Sequence, residues 1–519
     1  MTNRQVNTTG NVRIDGLLSG VKWGEGEAGS ATEISYSFPA GTAYWGYSKE
    51  SDAGWYGLSS TQRLSFEAAL QGWADVSGIT FTRIEDGVTY GDIRIAYSYA
   101  VPDDNSGYAY LPGSGLIDDA GMVTPDDEAG DIWLHSSVAD LAVGGYGFHT
   151  LSHEIGHALG LKHSFEVEGA FPALPGAEDN WGYTVMSYTD STAAGYTYKI
   201  LDDGHYTANV VIPVTPMLYD IQAIQHLYGA NSETRADDTT YTPGSRAELM
   251  TIWDSGGNDT IDLSAQLIGA RLDMNAGTFS DIGQRQMVFE APLVAAVNNI
   301  AIAFEVEIEN AVGSQFDDNL LGNALANTLT GGLGNDQLDG GAGEDTAVFT
   351  GNSTDYTFRQ DGASLIAMGG DGVDTLLNIE QFSFDDMTIP LADLLITGSD
   401  PAKAVPTSPA EVVFTPAEGD TAYFLLEISE PLTTVASVSY TTRDGTALAG
   451  KDYVAASGTA TLQPGQTFFA IGVTLLDDTV TESNEYFQLA ISSPVGGDFL
   501  NGAVELVAQR IIIDNDGLS

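Results

Sequence analysis

Four of the chain's seven histidines fall in one short stretch, HTLSHEIGHALGLKH, from His149 to His163. On a helix, positions i and i+4 share a face, so His153 and His157 present two imidazoles to one point. Gly160 can take a positive φ and turn the chain, which lets His163 swing back as a third ligand. Three histidines leave a fourth position for water, the arrangement of a catalytic rather than a structural zinc site. Glu154 stands one position round from the ligands, placed to take a proton from that water and pass it to a leaving amine. The expected chemistry is metal-assisted hydrolysis, with His153, His157 and His163 on one Zn²⁺ and Glu154 as general base.

The elements that must position these groups read as mixed α/β over residues 30–100. EISYSFP (33–39) alternates as a strand. Residues 59–78 read as a helix capped by Ser59, with Leu64, Phe66, Ala69, Leu70 and Trp73 as its apolar stripe and Gly78 as its stop. ITFTRI and GDIRIAYSY follow as strands. The motif helix is expected near 146–159, and another helix over 216–230. His149, one turn before His153, is expected at the surface or behind the ligands. His135, His205 and His226 have no partner pattern.

Composition limits the alternatives. With no cysteine among 519 residues, disulfides, thiolate metal sites and cysteine nucleophiles are excluded. Seventy-two acidic against 18 basic residues give a net charge of -54. That field repels nucleic acid and anionic membrane and favours bound cations or a saline medium. No stretch is long and apolar enough to span a bilayer. The N-terminus lacks the basic and apolar regions of a Sec signal peptide. Whether residues before about 20 are a propeptide is left open, as is the cleavage preference.

From about residue 240 Gly, Asn and Asp recur and helical periodicity disappears. Residues 313–348 align in nines as GSQFDDNLL, GNALANTLT, GGLGNDQLD and GGAGEDTAV. This nonapeptide pattern forms a parallel β-roll in which two nines make one coil and the turns bind Ca²⁺ through carbonyl and carboxylate oxygens. Asp318 should stack on Asp336, and Asn327 on Asp345. The expected calcium residues are Asp318, Gly331, Gly332, Gly334, Asp336, Gly340, Gly341, Gly343 and Asp345. Asp254 and Asp259 of DSGGND form a separate half-site. Ser314, Phe316, Asn323 and Leu325 replace pattern glycines, so one flank should hold fewer ions. After a Pro- and Ser-rich stretch at 391–411, residues 411–516 show short alternating strands, as in a β-sandwich.

HEIGHALGLKH resembles the metzincin signature H-E-x-x-H-x-x-G-x-x-H. YTVMSY (183–188) resembles the metzincin Met-turn, which makes Met186 its structural methionine. Tyr188 then matches a tyrosine that ligates zinc at rest and swings to stabilise the oxyanion. IDGLLSGVKW (14–23), GYAYLPG (107–113), DIQAIQHLYGAN (220–231), TIWDSGGNDTIDLS (251–264) and IAIAFEVEIENAVG (300–313) resemble serralysin segments, in serralysin order, over roughly 1–398. The resemblance makes GYAYLPG an edge strand to which a substrate peptide adds, with Ala109 and Tyr110 as substrate contacts. EGDTAYFLLEIS (418–429), YTTRDGTALAGKDY (440–453) and IIIDND (511–516) resemble a Calx-beta domain. By motif position its calcium candidates are Glu418, Asp444, Asp452, Asp477, Asp478, Glu482 and Asp514.

The expected architecture is therefore multidomain: an α+β metzincin catalytic domain at 1–235, an all-β parallel roll at 236–398, and an Ig-like Calx-beta sandwich at 399–519. The expected function is a zinc-dependent, calcium-stabilised endopeptidase acting on protein or peptide substrates. It is expected to be monomeric and secreted by type I export. The alternative is a calcium-dependent adhesion or matrix protein with a vestigial protease domain.

Overall fold

The computed structural model describes residues 2–39, 49–85, 89–113, 115–200, 205–361, 363–394, 396–399, 416–427, 435–463, 468–478, 480, 484–496, 499 and 504–513. The chain divides into two compact units, residues 1–353 with 370–392, and residues 354–369 with 393–519. Residues on both sides of the expected boundary at 235 belong to the first unit. Hydrogen bonds join them there, with Val214 N–H donating to the Leu249 carbonyl (3.0 Å) and Thr251 N–H to the Thr215 side-chain Oγ1 (3.0 Å).

The N-terminal part of the first unit has a twisted sheet in the order Ile79–Arg83, Thr32–Ser37, Ile93–Ser98, Ile132–Leu134, Gly107–Ala109. The pairs are parallel except the last, where Gly107–Ala109 runs antiparallel at the edge. The helix Ser60–Val76 begins with a capping box between Ser59 and Gln62, and buries Phe66, Ala69, Leu70, Trp73 and Val76. Leu64, expected in that stripe, is 66% exposed. It lies about 140° round the helix from Ala69 at 100° per residue, so the buried face passes it by.

The helix Tyr146–Ala158 is buried almost throughout. Trp73 Nε1 donates to the Ser152 carbonyl (3.1 Å) and Trp23 Nε1 to the Ala158 carbonyl (2.7 Å), tying it to the surrounding core. The N-terminal segment is part of this domain. Asn3–Gln5 pairs with Val21–Trp23 and with Met122–Pro125. Lys162 N–H donates to the Leu17 carbonyl (2.7 Å) and Ser19 N–H to the Gly160 carbonyl (3.0 Å). Residues 3–23 thus pack against the chain that leaves the motif helix.

The roll is built from three-residue strands with a register shift of two repeats. Asn310–Val312 pairs in parallel with Thr328–Thr330, and that strand with Thr346–Val348. Asn319–Leu321 pairs in the same way with Gln337–Asp339. Leu320, Leu329, Leu338 and Ala347 fill the interior. A further strand, Val373–Leu377, continues the ladder beyond Gln337–Asp339.

In the second unit, Ser457–Leu462, Ala436–Asp444, Glu485–Val495 and Glu505–Ile512 form an antiparallel sheet, and Thr421–Glu427 pairs with Phe468–Thr474. Phe424, Ile471, Val438, Phe487 and Leu489 share one buried cluster between the two sheets. Alternation along Glu485–Val495 places Phe487, Leu489 and Ile491 inside, as a sandwich requires.

Candidate active site and calcium sites

Helical spacing brings His153 and His157 to one face, and Gly160, at φ +107°, reverses the chain toward His163. The donor atoms of these three histidines lie within 4.8 Å of one another, and among the described residues no other such set was found. Each Nδ1 has an acceptor. His153 Nδ1 donates to the Val185 carbonyl (2.7 Å), His157 Nδ1 to the Leu161 carbonyl (2.8 Å), and His163 Nδ1 to Glu166 Oε1 (3.0 Å). With the proton on Nδ1, each Nε2 turns a lone pair inward. In those tautomers His157 Nε2 and His163 Nε2 face each other 3.1 Å apart as two lone pairs. Two nitrogens on one tetrahedral zinc, each at about 2.0–2.1 Å, are separated by about 3.3 Å. Facing lone pairs at this distance repel unless a cation lies between them, so the donor set fits zinc. Burial pushes His153 down to about 4 and His157 well below its ordinary value, which keeps both imidazoles neutral.

Glu154 is 5% exposed, and its Oε2 has no hydrogen-bond partner. Burial pushes its carboxyl up to about 8. Tyr188 is exposed, and its hydroxyl donates to His163 Nε2 (2.7 Å). Burial of that hydroxyl, with Glu154 and Glu166 near, pushes it up to about 12. Met186 is fully buried, and its Sδ lies so close beneath the helix that a Cβ at Gly156 would come within 2.6 Å of it.

Two cavities meet at Glu154. One, of about 190 Å³, is lined by His149, His153, Glu154, Trp181 and Tyr188. The other, of about 260 Å³, is lined by Ala109, Glu154, His157, His163 and Tyr188. A smaller cavity of about 90 Å³, lined by Phe148, Ser152 and Trp253 among others, is bordered by none of the three clustered histidines, Glu154 or Tyr188.

The edge strand borders both cleft cavities, but its two expected contacts differ. Tyr110 N–H donates to the Asp131 carbonyl (2.9 Å) and its own carbonyl accepts from Gly130 N–H (3.0 Å). Tyr110 therefore has no main-chain group to offer a substrate. Its ring packs on Ala96, Val101 and Trp133, and its hydroxyl donates to Glu50 Oε1 (3.1 Å). By strand alternation Gly107 and Ala109 turn their main-chain groups outward. Tyr108 also donates to Glu50, a fully buried carboxylate that holds both tyrosines of the strand. Nothing in the spacing of Glu50 announces this role.

Asp220 is a second group with no obvious signal, apart from lying in the first turn of the helix Leu218–Tyr228. It accepts from Thr184 Oγ1 (2.6 Å), Val185 N–H (2.7 Å) and Met217 N–H (2.8 Å). It thereby fixes the turn whose Val185 carbonyl orients His153. Asp220→Ala is expected to cost about 3 kcal/mol, because buried donors lose their acceptor. The measurement is a denaturant midpoint, and a shift equivalent to under about 0.5 kcal/mol would contradict this role.

Of the two places expected for His149, the surface or behind the ligands, the structure takes it off the surface: it is 4% exposed and packs on Trp181 with ring centroids 4.5 Å apart. His135 caps a short 3₁₀ turn through Ser137 N–H (3.2 Å). His226 is partly buried, and His205 is exposed.

In the roll, the stacked carboxylates accept main-chain N–H groups along the ladder. Asp318 N–H donates to Asp336 Oδ1 (2.8 Å) and Asn327 N–H to Asp345 Oδ1 (2.7 Å). The second oxygens, Asp336 Oδ2 and Asp345 Oδ2, are buried and unpartnered. Carbonyls converge on the same turns. A Cβ at Gly332 would lie 2.0 Å from the Ser314 carbonyl oxygen, and one at Gly343 would lie 2.2 Å from that of Leu325. Unpartnered carboxylate oxygens beside clustered carbonyls are a donor set suited to Ca²⁺. Gly331, Gly334, Gly340 and Gly341 lie in the same turns, where added Cβ atoms would meet Asp336, Phe316, Asp345 and Asn323 within 3 Å.

The substituted repeats differ. Both oxygens of Asp318 are already used, Oδ1 by Ala270 N–H (2.6 Å) and Oδ2 by Ser314 N–H (2.5 Å) and Oγ (2.8 Å). Asn323 Nδ2 donates to the Met274 (3.2 Å) and Ile308 (2.7 Å) carbonyls, and Asn327 Nδ2 to Glu309 (3.2 Å). Amide and hydroxyl hydrogens thus satisfy oxygens that a cation would otherwise hold. In the half-site, Asp254 accepts from Tyr241 (2.6 Å) and Gly256 N–H (2.9 Å), whereas Asp259 Oδ2 is buried and unpartnered.

GGDGVDTLL (369–377) is a further full match to the nonapeptide that the reading in nines passed over. Asp336 N–H donates to Asp374 Oδ1 (2.9 Å), so Asp374 carries the stack onward, and Asp371 Oδ1 is buried and unpartnered.

Among the sandwich candidates, Leu475 N–H donates to the Asp420 carbonyl (2.8 Å) and Leu476 N–H to the Asp452 carbonyl (3.0 Å). These bonds bring the segments carrying Glu418, Asp452, Asp477 and Asp478 together at one end. Asp444 accepts from Tyr453 (2.6 Å) and Ala449 N–H (2.9 Å), and Asp452 from Leu448 N–H (2.7 Å). Glu482 and Asp514 lie outside the described residues. No helix of the described residues is long and apolar enough to cross a membrane.

Comparison with known families places a matrixin match at residues 57–174, a match to the serralysin C-terminal region of peptidase family M10 at 218–394, and a Calx-beta match at 408–516. A serralysin from Photorhabdus laumondii is 32% identical over 345 residues, covering 59% of this chain and 62% of the relative. Metalloprotease AprA from Pseudomonas entomophila is 33% identical over 336 residues, covering 60% and 63%. The chain thus spans under two thirds of these relatives' length. A crystal structure of an apo-form Calx CBD1 domain is 32% identical over 18% of this chain and 83% of that one, with a TM-score of 0.17. The chain matches, in order, the matrixin, serralysin C-terminal and Calx-beta family models, and over its first two matches it is similar to serralysin metalloproteases.

Proposed function

We propose that this chain is a secreted, zinc-dependent endopeptidase stabilised by calcium. The observation that carries the reading is the convergence of three imidazole Nε2 atoms, each set by an acceptor on Nδ1, beside an unpartnered buried carboxylate in an open cleft. His153, His157 and His163 would hold the zinc. When bound, zinc supplies Lewis-acid polarisation and lowers the pKa of a water.

The chain's own groups supply the remaining roles. The outward main-chain groups of Gly107 and Ala109 bind an extended peptide as an added strand. Glu154 takes the proton of the attacking water on its carboxylate and returns it to the leaving amine. The Tyr188 hydroxyl, freed from His163, donates a hydrogen bond to the developing oxyanion. Ca²⁺ in the roll offsets repulsion among stacked carboxylates, and an export route to a calcium-rich exterior suits a cysteine-free, strongly acidic chain. Casein hydrolysis at fixed calcium, with and without a zinc-selective chelator, tests the activity. Loss of hydrolysis with chelator and its return with Zn²⁺ are expected, whereas hydrolysis indifferent to zinc sinks the reading.

A further inference from the structure

Lys162, the residue before His163, is 2% exposed, and its side-chain nitrogen is enclosed by main-chain carbonyls. It donates to Gly16 (2.6 Å), Glu166 (2.7 Å) and Pro172 (2.9 Å), with the His163 carbonyl a longer fourth contact at 3.3 Å. These carbonyls come from the N-terminal segment, the turn after His163 and the return of the loop that follows. That loop has little else to hold its middle. Residues 165–170 are all exposed, so none of their side chains anchors it in a core. Its own bonds are local: Glu166 N–H donates to the His163 carbonyl (3.2 Å), and Glu168 and Phe171 exchange a pair (3.0 and 2.8 Å). Leu174 N–H closes the base of the loop on the Ser164 carbonyl (2.7 Å) but does not reach Glu166.

Glu166 is the acceptor for His163 Nδ1, and its side chain is 48% exposed. Such a side chain keeps one place only if its main chain is fixed. We propose that Lys162 is a positioning residue for the third zinc ligand: it fixes the main chain of Glu166, and with it the group that aims His163. This rests on the zinc reading above. His163 presents its own carbonyl to the same nitrogen, so ligand and acceptor are both referred to one buried point. His153 and His157 stand on the buried helix Tyr146–Ala158 and need no such device. His163 lies beyond the end of that helix, where its orientation has to come from the loop. The Gly16 carbonyl extends the tie to the N-terminal segment.

The test is zinc affinity, measured on the full chain at fixed calcium by competition with a zinc-selective chelator. K162M keeps the length of the side chain and removes its donors. It is expected to raise the zinc Kd by about tenfold or more, as loss of a partner behind a metal ligand does. E166A should do the same. In the double variant K162M/E166A the Kd should lie within about twofold of E166A alone, because Lys162 acts through Glu166. The loss of melting temperature caused by K162M should persist beside E166A, since the buried carbonyls lose their donors in either background. In the metal-free chain, amide exchange over residues 164–174 should quicken about tenfold in K162M while the helix Tyr146–Ala158 keeps its rate. A K162M Kd within about twofold of the wild type, or a full further rise in the double variant, overturns the proposal. K162Q, too short to reach all three near carbonyls, replaces K162M if that variant does not fold. Failure of both to fold makes Lys162 a residue of the fold alone and also overturns the proposal. If the wild type binds no zinc, the zinc reading fails instead, and the exchange rates still decide whether Lys162 holds the loop.

Discussion

Glu154→Ala is expected to lower kcat/KM for peptide hydrolysis by about 10³ while zinc stays bound. The two halves of this expectation come from different atoms. The metal should stay because its three imidazoles are oriented by Val185, Leu161 and Glu166, none of which involves Glu154. The rate should fall because Glu154 is the carboxyl group that lines both cavities of the cleft beside the histidines, and is the proposed base. Glu154→Gln keeps the volume and removes the basicity, so it should fall as far. Metal content measured beside the rate separates the two effects. A variant that keeps its zinc and stays within about tenfold of the wild-type rate contradicts the assignment of the base.

Removing calcium is the second large effect. Burial and mutual repulsion push Asp336 up to about 7 and Asp374 up to about 6. Both folded values lie above the ordinary value of about 3.9, so without calcium folding favours the neutral acids. Their stabilising contribution in the ion-free roll is complete below about pH 4 and is lost as pH rises through 6 to 7. Calcium reverses this trend because it binds the ionised carboxylates. At pH 8 each ion present at a hundred times its Kd contributes about 2.7 kcal/mol, so chelation is expected to lower the melting temperature sharply there and much less at pH 5. Melts with and without a calcium chelator at the two pH values check this. An unchanged melting temperature at pH 8 contradicts a calcium-bound roll.

The convergence of the three histidines was legible because helical periodicity alone places His153 and His157 on one face, and a glycine marks the turn to His163. The groups that aim them were not. Val185 and Leu161 act through main-chain carbonyls, which leave no trace in residue type. Asp220 reads as an ordinary residue in the first turn of a helix, and its hold on the Met186 turn exists only in three dimensions. Glu50 lies far along the chain from Tyr108 and Tyr110, so the clamp on the edge strand has no local spacing to betray it.

The roll was legible where the nines are continuous and lost where the hairpin of Thr357–Asp361 and Ser364–Met368 breaks their phase before Gly369. The choice for His149 between the surface and a place behind the ligands could not be read from the sequence, because its burial depends on Trp181, which comes from a distant loop. Tyr110 was misassigned because strand alternation, and not membership of the edge strand, decides which main-chain groups face the cleft.

The most direct measurement is a zinc-edge anomalous map from crystals grown with Zn²⁺. One ion is expected at about 2.0–2.1 Å from Nε2 of each of His153, His157 and His163, with Glu154 outside its ligand sphere. No ion at that point under ample zinc, or an ion whose remaining position is closed by Glu154, contradicts the hydrolase account.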